Sequence, residues 1–319
     1  MLKAKETKKT WLAAYLYCGE PWEELLTQGL QPFVRAVMEK GLAEQYFFIR
    51  FWERGPHLRL RFKGETGRLE SEVKPWLTSY FHHYFEKKSP PADKLEIQFV
   101  PYEPEIDRYG GPTGILIAEK QFEVSSNAVL AVIEECDRWD YDRALGAAIQ
   151  LHLGFAFALG MDLIETAAFY SHIFKMWFSR SWGYEQEASP EELKKRRDIT
   201  LKAFEENFAK QKSILIPYHN TLWNAFTKNV PFEQEWLNRW MEKTAVTAGR
   251  LKEAQKNGLL VFPQRHKTSP PAEVPEANFQ LWPILESYVH MTNNRLGILN
   301  RDEAFLGYLI KESMDLVSR

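Results

Sequence analysis

The sequence predicts an α+β protein in which a ferredoxin-like, split βαβ sheet layer at the N-terminus precedes a mostly helical C-terminal part. Three observations carry this expectation. Strand-like and helix-like segments alternate as β-α-β-β-α-β through residues 10 to 105. From about residue 126 nearly every segment follows a helical period. The chain of 319 residues is 45% hydrophobic and 26% charged, enough apolar material for a substantial core and too little charge for a disordered chain. The expected division is 1–125 for the sheet region and 126–319 for the helical region, packed together as one domain.

The elements follow in order. Trp11 to Cys18 is an apolar and aromatic run ended by Gly19-Glu20-Pro21, which reads as a strand. From Pro21 to about Lys40, Trp22, Leu25, Leu26, Leu30, Phe33, Val34 and Val37 recur at helical spacing. Pro32 is expected to break or kink that helix and Gly41 to cap it. Gln45 to Trp52 and His57 to Lys63 flank Glu53-Arg54-Gly55-Pro56, a hairpin signal. Arg68 to Lys88 is amphipathic, with Val73, Trp76, Leu77, Tyr80, Phe81 and Tyr84 on one face, and Leu95 to Val100 is a further strand. Helices are then expected at 126–137, 140–160, 162–179, 190–210, 230–255, 277–297 and 301–317. A Pro- and Ser-rich linker spans Thr268 to Ala277.

The totals exclude several classes. A formal charge of −2 provides no global positive field, which argues against direct nucleic-acid binding. Cys18 and Cys136 have no metal-ligand spacing and cannot form a disulfide framework, so a reducing, cytoplasmic location is expected. Met1 to Thr10 is a polar, lysine-rich lead without a signal core, and no apolar run approaches a membrane span. No HExxH, GxSxG or phosphate loop occurs, so neither a metal nor a cofactor is expected.

Three segments carry candidate chemistry. His57-Leu58-Arg59-Leu60-Arg61-Phe62-Lys63 alternates strictly, placing His57, Arg59, Arg61 and Lys63 on one face. Arg59 and Arg61 would project in parallel roughly 6.5 Å apart. Depending on register, Arg50 would share that face. The row reads either as a solvated basic face or as an anion clamp, since parallel guanidiniums take carboxylates bidentately. The second segment, Tyr102 to Pro112, follows a strand and carries Arg108 and Tyr109 before a double glycine. There Glu105 or Asp107 would equally satisfy Arg108 as a structural pair. The third, Tyr288 to Leu296, places His290 and Asn294 at i,i+4, where Asn294 could fix the imidazole tautomer; a satisfied structural histidine is the alternative. The remaining histidines (82, 83, 152, 172, 219 and 266) show no such setting in the sequence.

The run Phe47 to Trp52 followed by Gly55 to Phe62 resembles the hallmark of the lantibiotic dehydratase C-terminal domain, also called the thiopeptide-type bacteriocin biosynthesis domain. Tyr102 to Gly111 and His290 to Arg295 are similar to its second and third motifs, and the resemblance extends from Trp11 to about Leu309. It implies a lyase that eliminates glutamate from glutamylated Ser or Thr of a ribosomally made precursor peptide, leaving dehydroalanine or dehydrobutyrine. The family's functional arginines fall on Arg59, Arg61 and Arg108, and its histidine on His290. Arg50, His57, Tyr109, Asn294 and Arg295 accompany them as candidate substrate contacts. A separate, glutamyl-tRNA-dependent glutamylation protein is the expected partner. The same fold serves as the [4+2] pyridine-forming cyclase of thiopeptide pathways, and a non-catalytic peptide-presenting role is a third reading.

Overall fold

The computed structural model describes residues 8–88, 95–182, 189–263 and 269–318; residues 1–7, His266 and Thr268, on which parts of the reading above fall, lie outside the described residues. The chain divides into two compact units. One comprises residues 1–105 and 115–139, the other residues 106–114 and 140–319.

The first unit is built on a four-stranded antiparallel sheet of order β2-β3-β1-β4. Its strands are β1 (Lys9–Tyr17), β2 (Gln45–Phe51), β3 (His57–Glu65) and β4 (Glu96–Val100). A π-helical turn, Leu25–Leu30, leads into α1 (Gln31–Glu39) after β1. After β3 a short α2 (Thr66–Arg68) and a second π-helical turn, Leu69–Val73, lead into α3 (Lys74–Glu86). Pro32 therefore lies in the first turn of α1, where a missing N–H costs nothing, and the irregularity falls just before it. Gly41, at φ 60°, closes α1: its N–H reaches the Met38 carbonyl and that of Leu42 reaches Val37. The predicted hairpin forms between Phe51 and His57, with Arg54 and Gly55 both at positive φ.

Period-two geometry sorts the sheet into two faces. Leu58, Leu60 and Phe62 are fully buried, and Phe33 of α1 meets Phe62, Trp76 and Phe81 in the layer that α1 and α3 form over that side. The opposite face carries His57, Arg59, Arg61 and Lys63 opposite Tyr17, Tyr15, Ala13 and Trp11 of β1. Arg50 does not share it. The register pairs Arg50 with Leu58, which turns its side chain to the helix-covered side, where it is 4% exposed and donates to Glu23 Oε1 at 2.8 Å. Burial pulls this guanidinium below its ordinary range, and Glu23 counters the effect.

The helix α4 (Gly111–Glu134) begins well before residue 126, so position 125 lies inside it rather than at a boundary. Its part within the first unit lies along β2: Ser126 Oγ accepts the Phe48 N–H at 3.2 Å, Phe122 meets Phe47 at 5.2 Å, and Glu119 takes Lys63 at 3.1 Å.

The second unit contains α5 (Tyr141–Ala158), α6 (Leu163–Arg180), α7 (Pro190–Thr227), α8 (Glu235–Lys256), α9 (Glu276–Leu296) and α10 (Arg301–Val317), with the 3-10 turn Ile106–Tyr109. Asp140, Asp162 and Ser189 cap α5, α6 and α7 by accepting backbone N–H groups. Gly307 lets α10 approach α6 closely, because a Cβ there would lie 3.0 Å from the Phe174 nitrogen. No helix among the described residues is long and apolar enough to cross a membrane.

Two stability effects follow. Arg50→Ala would leave Glu23 without its buried partner and should cost about 3 kcal/mol, measurable by urea unfolding; a loss below about 0.5 kcal/mol would fall within the range of ordinary surface changes. His152 and His219 are fully buried, and burial pushes both imidazoles down to about 4. Among the described residues neither ring nitrogen of His219 has a hydrogen-bond partner. Both stay neutral in the fold while the unfolded chain takes up protons near pH ~6.5. Stability should therefore be full above that pH, decline as pH falls toward about 4, and level off below, with each group contributing about 3 kcal/mol. His219→Leu should flatten this dependence in urea melts between pH 7 and 4.5, and an unchanged slope would assign the effect elsewhere.

Candidate functional site

In the first unit the candidate residues stand on the central strand β3. Arg59 lies over the Phe51 ring, its guanidinium carbon 3.3 Å from the centroid, and 4.5 Å from that of Tyr15. Arg61 is nearly buried beside Tyr102 and Phe47, at 4.6 and 5.1 Å, and hydrogen-bonds to Tyr15. Its Nε is buried without a hydrogen-bond partner among the described residues. Ala13, opposite Arg61 in register, offers only a methyl group, which leaves this part of the face to the guanidinium and its rings. Burial lowers both arginines from their ordinary values, while Tyr15, Glu53 and Glu105 oppose this at Arg59. Among the described residues neither makes an ion pair. Lys63 does, with Glu119, so among the described residues the row is ion-paired at that end.

His57 begins the row and is buried among Tyr15, Tyr17 and Phe51, at 5.0, 4.4 and 5.5 Å between ring centroids. Its Nδ1 meets the Gly55 carbonyl at 2.9 Å, and Arg59 Nε donates to its Nε2 at 3.2 Å. A guanidinium only donates, so Nε2 carries the lone pair and Nδ1 the proton. Burial lowers the imidazole further, with Arg59 acting in the same direction.

In the second unit α9 gathers the rest. Ser287 Oγ accepts Arg108 Nε at 3.0 Å, and His290 stands three residues further on the same helix face. Tyr109 is buried against Tyr288, with centroids 6.1 Å apart. His290, about one-fifth exposed, donates from Nδ1 to both oxygens of Glu303, at 2.9 and 3.1 Å, and stacks on Trp177 at 4.8 Å. The partner that sets its tautomer is thus Glu303 and not Asn294, which is buried on the next turn. Nε2 is left as the second ring nitrogen, suited to accept or return a proton. Arg295 is fully buried and donates to the Met291 carbonyl at 2.6 Å, one turn back, which makes it part of the packing rather than an exposed contact.

Glu303 anchors a buried network. It accepts from Asn293 Nδ2 at 3.1 Å and from the Asn300 backbone at 3.3 Å, and Asn293 Oδ1 accepts from His152 Nε2 at 2.7 Å. A parallel arrangement lies further along α9, where His172 meets the buried Glu286 at 3.2 Å and packs against Trp282. His152 and His172 therefore occupy defined settings that the sequence did not indicate. Glu303 itself was signalled locally, since Asn300-Arg301-Asp302-Glu303 is a capping box at the start of α10. Trp177 and Glu286 have no comparable local signal.

A family model described as the lantibiotic biosynthesis dehydratase C-terminal region matches residues 11–314. The subtilin biosynthesis protein SpaB of Bacillus subtilis is 33% identical over 130 residues, which are 39% of this chain and 12% of that protein, so the chain matches only a small part of that relative's length. Among solved structures, TsrL superposes with a TM-score of 0.68 at 18% identity, covering 98% of this chain and 95% of that one. The tRNA-dependent lantibiotic dehydratase MibB from Microbispora sp. 107891 superposes at 0.63 and 20% identity, over all of this chain and 29% of that one. TbtD, the pyridine synthase from thiomuracin biosynthesis, does so at 0.67 and 14% identity, over 96% and 98%. With a match over nearly its whole length, the chain belongs to the lantibiotic biosynthesis dehydratase C-terminal family.

Proposed function

We propose that this chain is the glutamate-elimination component of a split dehydratase, acting on glutamylated Ser or Thr of a ribosomally made precursor peptide supplied by a separate glutamylating protein. The sheet layer is read as the ferredoxin-like, split βαβ form, which the strand order β2-β3-β1-β4 supports. The single observation that carries the reading is how four cations of one sheet are compensated. Arg50 and Lys63 have carboxylates, Glu23 and Glu119. Among the described residues Arg59 and Arg61 contact rings and neutral acceptors and form no ion pair, Glu53 and Glu105 acting on Arg59 only from a distance. Cation–π contacts are worth ~2 kcal/mol when desolvated, whereas the effective penalty of burying an ion is several kcal/mol. The balance is restored by an incoming anion, and glutamate brings carboxylates.

In the elimination the Cα proton passes to a base, its electron pair forms the Cα=Cβ bond, and the Cβ–O bond breaks to release glutamate as a carboxylate. No oxidant or cofactor enters this balance. His290, set by Glu303 with Nε2 as its second nitrogen, is the proton-transfer group; Arg59, Arg61 and Arg108 hold carboxylate and developing charge. The likeness to TbtD favours a second reading, a pyridine-forming cyclase. A cyclase joining two dehydroalanines has no carboxylate leaving group, and the lack of an ion pair at Arg59 and Arg61 among the described residues favours elimination.

Mass spectrometry of a synthetic glutamyl-Ser peptide incubated with the protein separates these readings. Loss of glutamic acid to give dehydroalanine is expected, with Arg59→Lys, Arg61→Lys and His290→Gln each slowed by roughly 10²-fold or more. An unchanged ester, with turnover of a peptide carrying two dehydroalanines instead, would establish the cyclase. Near-normal elimination by Arg59→Lys would remove the clamp from the mechanism.

A further inference from the structure

We propose that His57 is a positioning residue for Arg59 and not a substrate contact: a neutral imidazole that holds the guanidinium by its Nε and leaves the two terminal nitrogens paired for a substrate carboxylate. The inference rests on the elimination reading for its purpose, but its geometry stands alone. Arg59 Nε donates to His57 Nε2 at 3.2 Å, and His57 Nδ1 donates to the Gly55 carbonyl at 2.9 Å. That carbonyl belongs to the hairpin turn, whose shape is set by Arg54 at φ 63° and Gly55 at φ 105°. A line of two hydrogen bonds therefore runs from the turn backbone through the imidazole to the arginine.

An imidazole is an unusual partner for a cation, and the choice has a physical consequence. A carboxylate in its place would orient Arg59 equally well but would neutralise it and compete with the incoming anion. A neutral acceptor orients the fork and leaves its charge for the ligand. This works only while the imidazole stays unprotonated, and its surroundings favour that. It is buried, the charged groups acting on it are Arg59 on its own strand and Glu53 in the turn, and β1 and β2 present Tyr15, Tyr17 and Phe51. Phe51 also underlies Arg59, so histidine and arginine share one aromatic floor.

Nitrogen-15 NMR of the full chain at pH 7 tests the geometry without any turnover. The His57 ring should be neutral with its proton on Nδ1, and the Arg59 Nε–H should be protected from exchange and scalar-coupled across its hydrogen bond to Nε2. An imidazolium, an Nε2–H tautomer or an unprotected Arg59 Nε–H overturns the proposal. Two variants then read its purpose. His57→Phe keeps a ring but no acceptor, and His57→Gln restores an acceptor near the Nε2 position. His57→Phe should lose the protection of Arg59 Nε–H and raise KM for a glutamyl-Ser peptide roughly tenfold to a hundredfold. Its kcat should change less than its KM, because the free carboxylate of the glutamyl group, present before the ester breaks, is held in ground and transition states alike. His57→Gln should recover most of both effects. Equal damage from Gln and Phe, or a KM unmoved by Phe, rejects the positioning role. Failure of the wild-type protein to convert the peptide, with the NMR result intact, rejects the elimination reading and leaves the His57–Arg59 relation standing.

Discussion

The alternation of β3 is the constraint on which the rest of the first unit depends. In a strand successive side chains leave on opposite sides, and a shift of one residue exchanges the whole set. With β3 central between β1 and β2, its two faces must suit two unlike environments at once. Leu58, Leu60 and Phe62 enter the layer under α1 and α3, while His57, Arg59, Arg61 and Lys63 enter the aromatic face. A one-residue slip would press three cationic side chains into the apolar layer and expose three large hydrophobes. Burial of those hydrophobes, at ~1.5–3 kcal/mol each, therefore fixes where the guanidiniums stand. The packing of one face determines the chemistry of the other.

The second unit solves a different problem, the burial of carboxylates. Glu286 and Glu303 are each 1% exposed, and an isolated buried carboxylate would be strongly unfavourable. Each meets an imidazole, and Glu303 also accepts an amide and a backbone N–H. The capping box of α10 and the orientation of His290 thus depend on the same two oxygens. Fold and candidate chemistry are coupled there, because loosening the start of α10 would release the imidazole.

Much of this was legible in the sequence. The hairpin, the cap at Gly41 and the grouping of His57, Arg59, Arg61 and Lys63 on one face of β3 follow from turn chemistry and period two, which act within a few residues. The length of α4 did not emerge, because Gly110, Gly111 and Pro112 read as a loop signal although Gly111 and Pro112 open the helix. The placement of Arg50 depended on register, a relation between strands that Leu58 and not Arg50 decides. The settings of His152 and His172 rest on partners more than a hundred residues away, Asn293 and Glu286, and no local pattern encodes such a pair. Glu303 carries a local signal, the capping box that begins at Asn300, which the sequence reading did not use.

What distinguishes candidate functional cations from structural ones is therefore the nature of their compensation rather than their burial. Arg50 is more buried than Arg61, yet it has Glu23 and its register turns it away from the aromatic face. Lys63 lies in the row but has Glu119. At Arg59 and Arg61 the fold supplies π-faces, a tyrosine and a neutral imidazole, groups that orient a guanidinium without cancelling its charge. Such sites lack the attraction of a carboxylate pair, and the proposed glutamyl carboxylate would supply it. On adjoining strands of one register, two cations of this sheet have carboxylates and two have rings and neutral acceptors, which is the difference on which the proposed anion site rests.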